Sequence, residues 1–222
     1  MDGTGMTILA CLAVAAVGYL LGSFNFAVII SKMLYKDDVR KYGSGNAGMT
    51  NILRTYGIGP SALVVVGDFS KGVLSIVFAR FLFAYLGIAL MDGGYIGALF
   101  ALLGHVYPLY FGLRGGKGVM TSAGVLLVLN PIVLLILAVI ALPIIFITRM
   151  VALGSVTAAL LFPVVTCIVD IWLQRPFIFD TLFALLIGLF VVYLHRSNIK
   201  RIVSGTENKF ERKKKEPDSQ GQ

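Results

Sequence analysis

The sequence predicts an all-α fold, a polytopic bundle of membrane-spanning helices. Three observations carry that expectation. Of the 222 residues, 58% are hydrophobic and 14% charged, with a mean hydropathy of +0.89; soluble domains are nearer half apolar and a quarter charged. The apolar residues fall into stretches near the ~20 residues that a crossing helix needs. Glycine-rich or basic segments separate them. Backbone polar groups in lipid need internal partners, which favours helices. No window is long and polar enough for a separate soluble domain. Residues 1–207 therefore read as one integral-membrane domain and 208–222 as a charged tail.

The apolar segments are roughly 6–30, 58–89, 94–111, 119–148, 150–171 and 178–195. The first lacks the basic start of a signal peptide, so it reads as a retained helix with Lys32 and Lys36 on its inner side. Breaks fall at Asp92-Gly93-Gly94, at 114–118, at Arg149 and at Gln174-Arg175-Pro176. Within 119–148, Asn130-Pro131 interrupts the run. Proline lacks an amide donor and disfavours helix in the residue before it. Two short helices joined by a tight turn are expected there.

Charge sets the orientation. Residues 31–57, 112–118 and 195–222 hold fifteen of the nineteen Lys and Arg, which puts all three segments in the cytoplasm and the N-terminus outside. The crossings between 119 and 195 then number two or four. The Asn130-Pro131 break and Arg149 favour four, hence seven helices; five is the alternative. Lys213-Lys214-Lys215 in the tail suits anionic lipid or disorder. No internal repeat is visible, which weakens a transporter reading a little.

The net charge of +8 sits beside apolar segments, without the interleaved bases and aromatics of a nucleic-acid binder. The lipid bilayer and small anions are the expected partners, and nucleic acid is not. Cys11 and Cys167 lie inside apolar stretches and read as small hydrophobes. His105 and His195 are too few and too distant for a metal site, so no metal or cofactor is expected.

Three polar motifs carry the chemistry. Gly43, Gly45 and Gly48 formally match a dinucleotide fingerprint but follow a membrane helix, not a strand, so that reading is rejected. Around them, Ser44, Asn46, Thr50 and Asn51 can hydrogen-bond a ligand. Arg54 offers a planar fork to a phosphate or carboxylate. The alternative is a flexible turn with a topological arginine. Gly115-Gly116-Lys117-Gly118 fails the Walker A pattern, because Phe111 and Gly118 stand at its leading-glycine and hydroxyl positions. Glycine-rich backbone and a lysine at a helix start remain, which suits an anion. Third, His195 and Asn198 share a helical face, with Arg196 beside them and Glu207 beyond. His195 could be an acid, a base or a phosphate donor; interfacial anchoring is the alternative. Asp68 and Lys71, three apart in an apolar segment, read as an ion pair or a substrate contact. His105, near a helix end, reads as a hydrogen-bonded packing residue. No nucleophile elbow occurs. Neither histidine has Asp at the fifth position, where Tyr110 and Lys200 stand, so the His-x4-Asp signature of thioester-dependent acyltransferases is absent.

Taken together, GSGNAGMTNILRTYG, GDFSKG, GHVYPLYFGLRGGKGV and HRSNIKRIVSGTE, in that order, resemble the bacterial acyl-phosphate:glycerol-3-phosphate acyltransferase family of integral membrane enzymes, over nearly all of the chain to Glu207. The resemblance implies seven helices in the bacterial cell membrane and an active site facing the cytoplasm. It implies transfer of a fatty acyl group from acyl phosphate to the 1-hydroxyl of glycerol 3-phosphate. The products are 1-acylglycerol 3-phosphate, the first intermediate of phospholipid synthesis, and phosphate. It further implies that Ser44, Arg54, Lys117, His195 and Asn198 are catalytic, that Gly115, Gly116 and Gly118 hold substrate phosphate, and that Glu207 is a structural carboxylate. From their own chemistry and position, Gly45, Asn46 and Thr50 are expected as further substrate contacts, and Asp68, Lys71 and His105 as support for the site. A monomer, coupled functionally to the enzyme that makes acyl phosphate, is the expected state. A transporter for an organic phosphate anion is the competing class; it requires access from both faces. A structural lipid-binding protein would leave the polar motifs without a task.

Overall fold

The computed structural model describes residues 3–210, and the lysine run at 213–215 lies outside them. Among the described residues there are ten α-helices and no strands. Helices α1 (Gly3–Ser23) and α2 (Phe26–Tyr35) together form a 33-residue apolar unit of membrane-crossing length. Asn25 breaks it. The Asn25 side chain is buried and caps α2 by accepting from the Val28 amide at 3.1 Å, as short polar side chains do at helix starts.

An extended segment and a short 3₁₀ turn lead to α3 (Met49–Tyr56), which turns at Gly57 into α4 (Ile58–Tyr85). Then come α5 (Gly94–Val106), α6 (Val119–Leu129), α7 (Pro131–Thr148), α8 (Val151–Trp172), α9 (Ile178–Leu194) and α10 (Arg196–Val203). Gly-mediated backbone contact packs these helices. A Cβ on Gly22 in α1 would lie 2.2 Å from the Ala101 carbonyl oxygen in α5, and one on Gly124 in α6 would lie 2.0 Å from that of Phe69 in α4. Where lipid is as apolar as leucine, such close approach is a main source of helix association. Leu12, Leu135, Val139 and Ile147 point outward, as lipid-facing side chains do.

The break at Asn130-Pro131 is as expected: Asn130 caps α7 by accepting from the Val133 amide at 3.3 Å, and Pro131 occupies its first position. Its consequence differs from expectation, because α7 is full length at 18 residues while α6 has 11. At 1.5 Å per residue, α6 covers about half of a ~30 Å hydrocarbon core. Among the described residues five helical segments are long and apolar enough to cross, and a sixth joins them if α9 and α10, bent by 62°, count as one span. Seven is reached only by counting α6.

The bundle gathers the polar motifs at one end. The C-terminal ends of α5, α7 and α9 and the N-terminal ends of α6 and α8 meet there with α3. Toward the other end, Arg80 pairs with Asp92 at 2.7 Å, and Asn130 donates to Asp170 at 3.4 Å.

Candidate active site

The first motif is built around Asn51, which is 1% exposed. Its amide nitrogen donates to the carbonyls of Val39 and Tyr42, both at 3.0 Å, and its oxygen accepts from the Ser44 amide at 3.2 Å. Asn51, expected among possible ligand contacts, is thus used up in shaping the loop. Gly43 has φ +55°, and a Cβ there would lie 2.4 Å from the Asn51 oxygen. Only glycine fits. The loop leaves Ser44, Asn46 and Thr50 on a cavity wall and sends Arg54 out on α3.

The second motif docks on the first. The Ala47 amide donates to Gly115 O at 3.4 Å. The Gly115 and Gly116 amides donate to the carbonyls of Val106 and His105, at 3.0 and 3.2 Å. Those two amides are therefore engaged and do not form the phosphate cradle expected of them. Their lack of side chains serves packing: a Cβ on Gly115 would meet His105 O at 1.9 Å, and one on Gly116 would meet His105 Nε2 at 2.2 Å. The anion-binding potential passes to the next residues. Lys117, Gly118, Val119 and Met120 line the cavity at the start of α6, where the first amides have no intrahelical acceptor and the helix dipole is positive.

Beneath this loop, Lys71 Nζ lies 2.7 Å from Asp68 and 2.9 Å from His105 Nδ1, and donates to the Phe24 carbonyl at 2.9 Å. All three side chains are buried. The cluster ties the α1–α2 break to α4 and α5, and a charge removed from water in this way needs such partners.

The third motif turns at His195. Its Nδ1 is 2.8 Å from the Val191 carbonyl. A carbonyl only accepts, so Nδ1 carries the hydrogen, and in the neutral ring Nε2 is left as an acceptor. Glu207, 6% exposed, is the hub of the site. Its carboxylate accepts from Asn198 Nδ2 and from Arg201 Nε, both at 2.9 Å, with Arg54 Nη2 at 3.9 Å. Lys117 donates to the other end of the Asn198 amide. Both ends of the Asn198 amide are engaged, so it joins Lys117 to Glu207. Arg54 also donates to Asn208 O at 2.7 Å, while its buried Nε has no partner among the described residues. Asn208, expected to open the tail, thus belongs to the site, as does Phe210, whose amide donates to Arg149 O at 3.1 Å.

Arg54 and Arg201 pair with Glu207, and Lys117 and Arg196 stand close by; among the described residues these four cations share that one carboxylate, an excess of about three positive charges. Burial, reinforced by Arg201 and the other guanidinium groups and opposed by Glu207, holds the Lys117 ammonium down to about 8. Burial likewise lowers Arg54, against the pull of Glu207.

A cavity of about 490 Å³ connects these groups. Ser44, Asn46, Thr50, Arg54, Asp68, His105, Lys117, Gly118, His195, Asn198 and Glu207 line it. Gly45 lines a smaller adjoining cavity, and Gly115, Gly116 and Lys71 lie behind the walls. The remaining wall is apolar and runs between α5, α6, α7, α8 and α9, with Leu126, Leu137, Ala141, Ile145, Phe162 and Ile187 among its residues. Arg201 was not singled out in the sequence, although its spacing of three from Asn198 places both on one face of α10. Ser155 of α8, another wall residue, carries no motif. Cys11 and Cys167 are free and half-buried.

A family model described as glycerol-3-phosphate acyltransferase matches residues 12–205. Similar proteins named glycerol-3-phosphate acyltransferase include one from Shouchella clausii, 41% identical over 211 residues that cover 93% of this chain and 98% of the relative. One from Clostridioides difficile is 37% identical over 209 residues, covering 94% of this chain and all of the relative. Two solved structures of PlsY (YgiH), an integral membrane glycerol 3-phosphate acyltransferase, also superpose on the chain. The glycerol 3-phosphate form has a TM-score of 0.77 at 34% identity, covering 90% of this chain and 96% of that one. The lysophosphatidic acid form has 0.75 at 34%, covering 90% and 95%. These proteins are named as acyltransferases, which favours the enzymatic reading over anion transport.

Proposed function

The chain belongs to the glycerol-3-phosphate acyltransferase family, and from that membership we propose that its acyl donor is an acyl phosphate and its acceptor the 1-hydroxyl of glycerol 3-phosphate. One observation supports this above the others: a single cavity joins an apolar groove to a pole with about three unmatched positive charges. An acyl phosphate has both an apolar tail and a phosphate, and glycerol 3-phosphate brings a second phosphate. The absence of a His-x4-Asp pair agrees with a donor other than a thioester.

In this reading Lys117 and the first amides of α6 hold the donor phosphate, and charge growing on the leaving group is stabilised where water is excluded. Arg54, with its free Nε, takes the phosphate of glycerol 3-phosphate. Ser44 hydrogen-bonds a phosphate or the developing oxyanion. Asn198 and Glu207 hold Lys117 and the arginines in place. The hydroxyl oxygen attacks the carbonyl carbon, the bond from that carbon to the phosphate oxygen breaks, and phosphate leaves. His195 Nε2 or a substrate phosphate oxygen receives the hydroxyl proton. Well-oriented reactants can by themselves remove roughly 7–11 kcal/mol of barrier. In His195→Ala, retention of the wild-type single-turnover rate and pH dependence would assign the proton to phosphate; a slower rate that no longer falls at low pH assigns it to His195.

For topology, we take α6 as a short crossing, so that seven segments place the N-terminus outside and the site at the cytoplasmic face of the bacterial cell membrane. The positive bias of 31–57, 112–118 and 195–222 supports this orientation. The protein acts as a monomer supplied by an acyl-phosphate-forming enzyme.

The test is an assay of purified protein in detergent with synthetic acyl phosphate and glycerol 3-phosphate, with Lys117→Ala as control. The expected result is lysophosphatidate and phosphate in equal amounts, with loss in the variant. Transfer from acyl-CoA but not from acyl phosphate would overturn the donor assignment.

A further inference from the structure

A second cavity of about 260 Å³ adjoins the first. Ser44, Asn46 and Lys117 are common to both walls. Beyond Lys117 the small cavity is faced by Arg201, Ser197 and Arg196, and none of the groove-forming residues of α7 or α8 reaches it. Among the described residues Arg201 is tied to Glu207 through Nε alone, and its terminal N–H groups make no other hydrogen bond there. Arg196 stacks on Tyr193, with its guanidinium carbon 4.4 Å from the ring centroid, and donates once, to Tyr193 O at 3.1 Å. Three cations thus line a path from the part-buried Lys117 to the exposed Arg196.

The proposed reaction creates a need for such a path. It leaves an acylated product, whose chain lies in the apolar groove, and a small dianion that cannot leave through lipid. Acyl transfer breaks the bond between the carbonyl carbon and the phosphate oxygen, and once the hydroxyl proton reaches the leaving group, directly or by way of His195, that group is hydrogen phosphate next to Lys117. We propose that the small cavity is the exit subsite for inorganic phosphate, with Arg201 and Arg196 receiving it from Lys117. This assignment rests on the acyl-phosphate reading above. The same chemistry could admit glycerol 3-phosphate from water, and the experiment separates the two sources.

Phosphate binding is measured directly by calorimetry on wild type, Arg196→Glu and Arg196→Lys, and product inhibition by phosphate is measured in the acyl-transfer assay. Losing one charge-assisted contact should weaken phosphate binding and raise its inhibition constant by about tenfold in Arg196→Glu, with Arg196→Lys near wild type. KM for glycerol 3-phosphate should move far less than the inhibition constant. Phosphate binding unaltered in Arg196→Glu overturns the proposal. So does a KM for glycerol 3-phosphate that rises in step with the inhibition constant, which would make the cavity an entrance. If wild type fails to use acyl phosphate, the donor assignment fails by itself, and calorimetry still decides whether Arg196 holds phosphate.

Discussion

Lys117 illustrates how one side chain depends on its neighbours. In the proposed reaction its ammonium carries the charge that the donor phosphate requires, yet burial and nearby guanidinium groups bring it to about 8. The free enzyme has the ammonium below that pH and loses it above. kcat/KM is therefore expected to fall as pH rises through about 8, and Lys117→Arg, whose guanidinium stays charged, should remove that fall where it retains activity. Lys117→Ala should cost about 10²- to 10³-fold in kcat, the usual loss for one donor to developing charge. Glu207 has the opposite part. Its carboxylate is buried between Asn198, Arg201 and Arg54, so truncation strands two half-buried guanidinium groups. Glu207→Ala should destabilise the protein by about 3 kcal/mol, and Glu207→Gln, which keeps the Asn198 contact, by less. Thermal unfolding in detergent reads both. Asn51 and Asn198 show the limit of residue-level reading: each is polar and near a motif, but both ends of each amide are committed internally.

At the scale of elements, α6 connects packing to chemistry. It presses on α4 through Gly124 and Gly72, where a Cβ would sit 2.0 and 2.3 Å from backbone oxygens, and its first residues present Lys117 to the cavity. Neither backbone can yield locally. Gly124→Ala should separate the two helices at a cost of about 1–3 kcal/mol and displace Lys117. The expected outcome is a lower melting temperature together with a raised KM for acyl phosphate; a Gly59→Ala control, at a site with open space around its Cβ, should change neither. The Asn130-Pro131 break belongs to this scale as well. Proline chemistry makes the interruption legible in sequence, but the 11-residue length of α6 follows from its start at Val119, just after the left-handed turn at Gly118.

For the whole molecule, the groove between α5, α6, α7, α8 and α9 makes chain length a measurable quantity. Each buried methylene adds about 0.8 kcal/mol, or roughly fourfold in affinity. Donor KM should fall with chain length and then level off once the chain outgrows the cavity. Ala141→Phe, which fills part of the apolar wall, should bring the plateau to shorter donors. A donor series with no length dependence would contradict the groove.

Composition and hydropathy alone determined that this chain is a helical membrane protein. Glycine, lysine, arginine and histidine at their spacings marked the three polar motifs that the structure gathers at one end of the bundle. Those properties are local, set by solvent preference and by residue types a few positions apart. Tertiary structure decided the rest. It spends the Gly115 and Gly116 amides on the end of α5, brings Arg201 to Glu207, and leaves α6 too short to count as a crossing by length. Each of these depends on which distant groups satisfy a given donor or fill a given space, and spacing along the chain holds no record of that.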